Sequence, residues 1–91
     1  MSRVTSDAAA HIGRLIAERR RQIAITQDRL AAGSGIDLSN IRAYENGRAM
    51  PSIHSLVRMA VALGIDPGAL LDGLTLALFT GKADDRRRPI A

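Results

Sequence analysis

The 91-residue chain has no cysteine, which excludes disulfides, thiol nucleophiles and cysteine-ligated zinc or iron–sulfur sites. Tryptophan is missing too, and Tyr44 and Phe79 are the only aromatic residues. Proteins that hold single-stranded RNA or DNA stack bases on several aromatic rings, so this composition favours double-stranded DNA as a nucleic-acid partner. The longest apolar runs, Ala60-Val61-Ala62-Leu63 and Leu76-Ala77-Leu78-Phe79, fall far below the roughly 20 residues of a membrane helix. The opening MSRVTSDAAA has no apolar signal core, and a cytoplasmic protein without a membrane partner is expected. His11 and His54 lack ligand-like spacing, so no metal is expected. Phosphate-cradling glycine loops, nucleophile elbows and paired carboxylates are absent as well, and neither an enzyme nor a cofactor is expected.

A hydrophobic fraction of 46% without repeats or low-complexity tracts marks a chain that folds, and its length allows one core. Domains this short bury a modest share of their surface, so pairing with a second copy would help. The net charge of +4 leans basic. Three of those charges lie in one run, Arg86-Arg87-Arg88, offset by Asp84 and Asp85, so the placement of charge matters more than its sum.

Helical spacing dominates the pattern. Ile12, Leu15, Ile16 and Ile23 share one stripe of a helix over about residues 7–23, capped by Asp7 or Ser6. Thr26 caps a short second helix with Asp28 in its first turn and Leu30 and Ala31 facing inward, and Gly33-Ser34-Gly35 ends it. A third helix runs from Asp37 to Asn46-Gly47. Pro51-Ser52 opens a fourth, in which Ile53, Leu56, Val57, Ala60 and Val61 keep helical spacing until Gly64. Asp66-Pro67 starts a fifth, holding Leu70, Leu71 and Leu74. Beyond Gly73, Leu74, Leu76 and Leu78 alternate like a strand while Leu70, Leu74 and Leu78 fit a helix, and both readings stay open for 74–81. The stretch after Gly81 reads as a flexible basic tail, 82–91.

The third helix has an unusual distribution. With Ile41 at zero on a wheel of about 100° per residue, Leu38, Tyr44 and Glu45 fall within about 60° of it, while Ser39, Arg42, Ala43 and Asn46 gather opposite. Arginine reads guanine bidentately, asparagine reads adenine, serine suits several partners, and alanine or leucine can touch a thymine methyl. Taken alone, this helix reads first as one with a plain solvated face, and as a base-reading helix second.

The stretch over about residues 12–71, which contains the run from IAERRRQIAITQDRLAAGSGI (16–36) to IDPGALL (65–71), resembles the Cro and phage-repressor-like helix-turn-helix proteins of the XRE family. The matching positions are Thr26-Gln27, Leu30-Ala31, Gly35, Ile41, Glu45-Asn46-Gly47, Pro51-Ser52, Ala60, Leu63-Gly64 and Leu70. The resemblance implies an all-α, five-helix, lambda-repressor-like bundle containing a helix-turn-helix over 7–73. An extra C-terminal apolar segment at 74–81 is then a candidate dimerisation segment. Helix three would enter the major groove and helix two would cross the backbone. Leu38, Ser39, Asn40, Arg42 and Ala43 are the candidates for base contacts; Gln27, Asn46 and Arg48 are those for phosphates. Helix two, which starts with free amides and a positive dipole end, suits a phosphate as well. In related proteins an arginine late in helix one bonds a glutamate late in helix three, which implies a structural ion pair between Arg20 and Glu45.

Three residues depart from the family pattern. Ala24 stands where glycine is frequent, so the first turn is expected to differ. Ser34 replaces a common apolar residue. Asp37 reads as an N-cap first and a cytosine acceptor second. The implied function is a sequence-specific regulator of transcription that binds a palindromic operator as a homodimer. The alternative is an antitoxin-type module that neutralises a toxin partner and binds its own operator. The stretch from Leu70 to Phe79 is either the dimer surface or the last layer of the monomer core.

Overall fold

The computed structural model describes residues 6–80, which form five α-helices and one 3-10 helix, with no strand among them. Of the two capping candidates for α1 (Asp7–Gln22), Ser6 is the one that caps, its hydroxyl accepting from the amide of Ala9 at 3.0 Å. Thr26 does the same for α2 (Gln27–Ser34), accepting from Arg29 at 3.1 Å. Gly35 ends α2 with φ of 72°, the left-handed conformation that lets the chain turn at once towards α3 (Leu38–Glu45). Asp37 occupies the N-cap position of α3, but its side chain makes no capping bond and the residue stays exposed. Ser52 caps α4 (Ile53–Leu63) through the amide of Ser55.

The turn between α1 and α2 keeps the backbone shape that glycine would favour. Ala24 adopts φ of 57° and is the only non-glycine residue with positive φ among those described. A β-carbon is strained there, so Ala24→Gly is expected to raise the unfolding free energy by roughly 0.5–1 kcal/mol, after allowing for the greater freedom of glycine in the unfolded chain. A urea titration would detect this as a later midpoint with unchanged slope.

Two segments differ from the periodicity. The fifth helix expected from Asp66-Pro67 is a 3-10 helix, Pro67–Leu71, and Leu74 lies outside it. After Gly73 the chain forms a short helix, α5 (Leu76–Thr80), which packs on α1 and closes the choice between helix and strand for those residues. In α4 the buried residues are Leu56, Met59, Ala60 and Leu63, whereas Ile53, Val57 and Val61 face solvent. Apolar residues occupy more than half the circumference of α4, so spacing alone does not choose which arc meets the core. Its docking against α2, α1 and the 3-10 helix makes that choice.

The core gathers Ile12 and Ile16 of α1, Leu30 of α2, Ile36, Ile41 of α3, the buried face of α4 and Leu70. Leu15, Ile23, Ala31 and Tyr44 pack around its edge. Small residues of α1 let α3 approach closely. A β-carbon on Gly13 would strike the carbonyl oxygen of Tyr44 and come within 3.0 Å of that of Glu45, and one on Gly47 would lie 2.9 Å from the Cα of Ala10.

Candidate nucleic-acid interface

α3 holds its orientation through both ends of its inner face. Ile41 is completely buried, with Leu38 and Tyr44 half-buried beside it. At the C-terminal end, Glu45 meets Arg20 of α1 in a bidentate pair: Nε donates to Oε2 at 2.7 Å and Nη2 to Oε1 at 3.0 Å. The side chains are 13% and 4% exposed, so most of this contact lies away from water. The Arg20 pKa is raised above its ordinary value. The hydrogen bond to Glu45 is the main cause; burial opposes it and the charge of Glu45 adds to it. Arg20 also donates through Nη1 to the carbonyl of Ile25 at 3.0 Å, tying the pair to the turn before α2. One guanidinium thus joins α1, α3 and the turn that positions α2.

Gln27 has a role its position in the sequence did not disclose. Its Nε2 donates to Oε1 of Glu45 at 3.0 Å, making the first residue of α2 a third member of the cluster. The carboxamide oxygen and the second N–H remain outside that bond.

The opposite face of α3 is open. Ser39, Asn40, Arg42 and Asn46 are exposed or nearly so, and Ala43 is half-buried. Ser39, Arg42, Ala43 and Asn46 follow at i, i+3, i+4 and i+7, hence on one side of the helix. Arg48 is exposed just beyond the end of α3. Leu38 lies at the edge between the packed and open faces. Arg86–Arg88 lie outside the described residues.

Two further arginines act at helix ends, and no spacing rule marked them. Arg58 of α4 reaches the C-terminal end of α2, its Nε donating to the carbonyl of Ser34 at 2.7 Å and its Nη2 to that of Gly35 at 3.4 Å. Arg19 of α1 donates to the carbonyl of Leu63 at the end of α4 at 3.0 Å. Helix C-termini leave carbonyls unsatisfied and carry partial negative charge, so a guanidinium is well suited to either place. Ser34 contributes at the same junction: its hydroxyl donates to the carbonyl of Leu30 at 2.7 Å and accepts from the amide of Ile36 at 3.3 Å. This buried serine therefore has its polar atom satisfied.

Among the described residues no group of three or more His, Asp or Glu side chains could hold a metal ion, and no helix is long and apolar enough to cross a membrane. The architecture is that of a small helical DNA-binding domain, with α2 and α3 joined by a tight glycine turn and α3 showing a polar face outward. Residues 16–70 match the helix-turn-helix family HTH_3, and the chain belongs to that family, within the XRE type. Over 50 residues, 55% of this chain, it is 38% identical to the cryptic phage CTXphi transcriptional repressor RstR of Vibrio cholerae, covering 45% of that protein. A stretch of the same length is 42% identical to an HTH-type transcriptional regulator of Methanothermobacter thermautotrophicus and covers 72% of it. Among solved structures, the restriction-modification controller protein C.AhdI from Aeromonas hydrophila superposes with a TM-score of 0.67 at 31% identity, covering 68% of this chain and 94% of that one. The P22 c2 repressor protein, crystallised with a synthetic operator, superposes with a TM-score of 0.63 at 29% identity over the same shares.

Proposed function

We propose that this chain is a sequence-specific double-stranded DNA-binding regulator of transcription that acts as a homodimer on a palindromic operator. The observation that carries this reading is the outward face of α3. It presents serine, asparagine and arginine to solvent beside a half-buried alanine, on a helix whose inner face is anchored by Ile41 and the Arg20–Glu45 pair. The repressor of P22 in its operator complex and the repressor of V. cholerae supply the analogy.

In this reading Leu38, Ser39, Asn40, Arg42 and Ala43 touch base edges, while Gln27, Asn46 and Arg48 hold phosphates. Gln27 meets a phosphate with the N–H that Glu45 leaves over, at the positive end of α2. One copy reaches only a few base pairs, so useful selectivity needs two copies on half-sites about 34 Å apart.

Selection from random duplex DNA, repeated at two salt concentrations, tests the function directly. A single enriched palindrome is expected, with affinity falling steeply as salt rises. Equal competition by scrambled duplexes would remove sequence specificity from the proposal. On the enriched site Arg42→Ala is expected to lose about 1–3 kcal/mol and to relax the choice at one base pair, while Arg48→Ala weakens all sequences alike. Titration against singly substituted duplexes separates the two patterns; identical losses on every duplex would reassign Arg42 to the phosphates.

A further inference from the structure

An aspartate at the start of a helix ordinarily turns its carboxylate back to accept from the amide two or three residues ahead. Asp37 holds that position before α3 and does not cap it. The amide of Asn40, which the carboxylate would take, donates instead to the backbone carbonyl of Asp37 at 2.9 Å. Ser6, Thr26 and Ser52 all cap with their side chains at the corresponding places before α1, α2 and α4, so the omission is particular to α3. Among the described residues the Asp37 carboxylate has neither a hydrogen bond nor an ion pair, whereas Glu18 is paired with Arg14 and Glu45 with Arg20. Asp37 is exposed, and it directly precedes Leu38 and Ser39.

We infer that Asp37 determines specificity, its carboxylate accepting from the exocyclic amino group of a cytosine at one position of each half-site. The inference rests on the DNA-binding reading above. It adds to that reading a residue outside the stripe of Ser39, Arg42, Ala43 and Asn46, and it fixes one base of the operator.

The choice of cytosine follows from what each base shows in the major groove. An ionised carboxylate can only accept. Guanine offers N7 and O6 there and thymine offers O4, all of them acceptors that repel it. Adenine has a donating amino group, but its N7 acceptor lies beside it. Cytosine alone presents an amino group with no acceptor next to it on the same base. A phosphate is excluded as a partner by its charge. The residues at the N-terminal end of a helix lying in the major groove are the ones that reach base edges, which is where Asp37 stands. The same charge acts against wrong sites. Where no amino group faces it, Asp37 becomes a carboxylate taken from water and set beside acceptors, so it selects by rejection as well as by attraction. Arg42 and Arg48, by contrast, attract any duplex through its phosphates. A carboxylate near the start of α3 also suits the helix dipole, but that role would not depend on the base it faces.

The test varies each position of the selected duplex singly and measures binding by three full-length proteins. The unaltered chain should prefer cytosine roughly tenfold over any other base at one position of each half-site. Asp37→Ala should flatten the preference at that position alone, and should bind unrelated duplexes more tightly than the unaltered chain does. Asp37→Asn, whose carboxamide both donates and accepts, should move the preference from cytosine to adenine. Replacing the cytosine by N4-methylcytosine puts a methyl group in the major groove where the free N–H stood; this should weaken the unaltered chain and leave Asp37→Ala unaffected. Asparagine caps a helix as well as aspartate does, so Asp37→Asn should keep its urea midpoint. Identical base preferences for the three proteins on an enriched palindrome would overturn the inference and leave the DNA-binding reading standing. An Asp37→Ala chain that loses stability in urea but keeps the full cytosine preference would do the same, and would make Asp37 a cap. If no duplex is enriched, the inference and the DNA-binding reading fall together.

Discussion

Arg20→Ala should lower the unfolding free energy by about 3–5 kcal/mol, because it leaves the Glu45 carboxylate buried without its bidentate partner. For a domain of this size, whose total stability is on the order of 5–15 kcal/mol, such a loss is a large share. The magnitude follows from burial: a pair of this type on the surface contributes only about 0–1 kcal/mol, whereas here the glutamate side chain is 4% exposed. Gln27 still donates to Glu45 in the variant, but one neutral donor cannot replace two charge-assisted ones. Removing the carboxylate as well should recover part of the loss, so Arg20→Ala combined with Glu45→Ala is expected to cost less than the sum of the single changes. Urea denaturation of the four proteins measures both effects. Additive losses would mean that the two residues act independently.

The same pair sets a pH dependence. The Arg20 pKa is raised in the folded protein, so its contribution is complete below the unfolded value and is lost only as pH climbs through the higher folded one. On the guanidinium side, the pair therefore holds at any pH at which duplex DNA remains paired.

Gly13→Ala is the second large effect, and it arises from space alone. The added carbon would collide with the carbonyl oxygen of Tyr44, part of the α3 backbone, which cannot swing away as the end of a side chain could. α1 and α3 must then separate, at a cost of about 3 kcal/mol, the upper part of the usual range for overpacking. Helix propensity works in the other direction, alanine being favoured over glycine by about 1 kcal/mol within a helix. A stabilised variant would show that α3 can yield without loss. The displacement should also reach DNA: Glu45 lies at the affected contact, and α3 carries the face proposed to read bases. Affinity for the selected duplex should fall even at temperatures where the variant remains folded.

Helix ends were well marked in the chain because their causes are local. Ser6, Thr26 and Ser52 each accept from an amide three residues ahead, and Gly35 and Gly64 take the positive φ that ends a helix. The packing face of α3 was legible for a similar reason, since Ile41 and its neighbours on the wheel contrast with a polar remainder. The Arg20–Glu45 pair was visible only through resemblance, as its members are 25 residues apart and nothing in the pattern joins them. Gln27 as their third partner, Arg19 and Arg58 at distant helix ends, and the need for glycine at position 13 had no signal at all. Each depends on which helices become neighbours.

α4 shows the boundary most clearly. Spacing correctly indicated a helix from Ser52 to Gly64, and it placed Leu56 and Ala60 inside together with Ile53, Val57 and Val61, which face water. The 3-10 geometry of Pro67–Leu71 and the helix at Leu76–Thr80 were likewise not decided by their own residues.

Thus the order of residues by itself determined where α1 to α4 begin and end, which side of α3 is polar, and that cysteine chemistry is absent. Capping, propensity and positive φ act within a few residues. The tertiary structure alone decided which arc of α4 is buried, which arginines close which helices, and how near α3 comes to α1. Those outcomes depend on excluded volume and hydrogen bonds between segments distant in the chain.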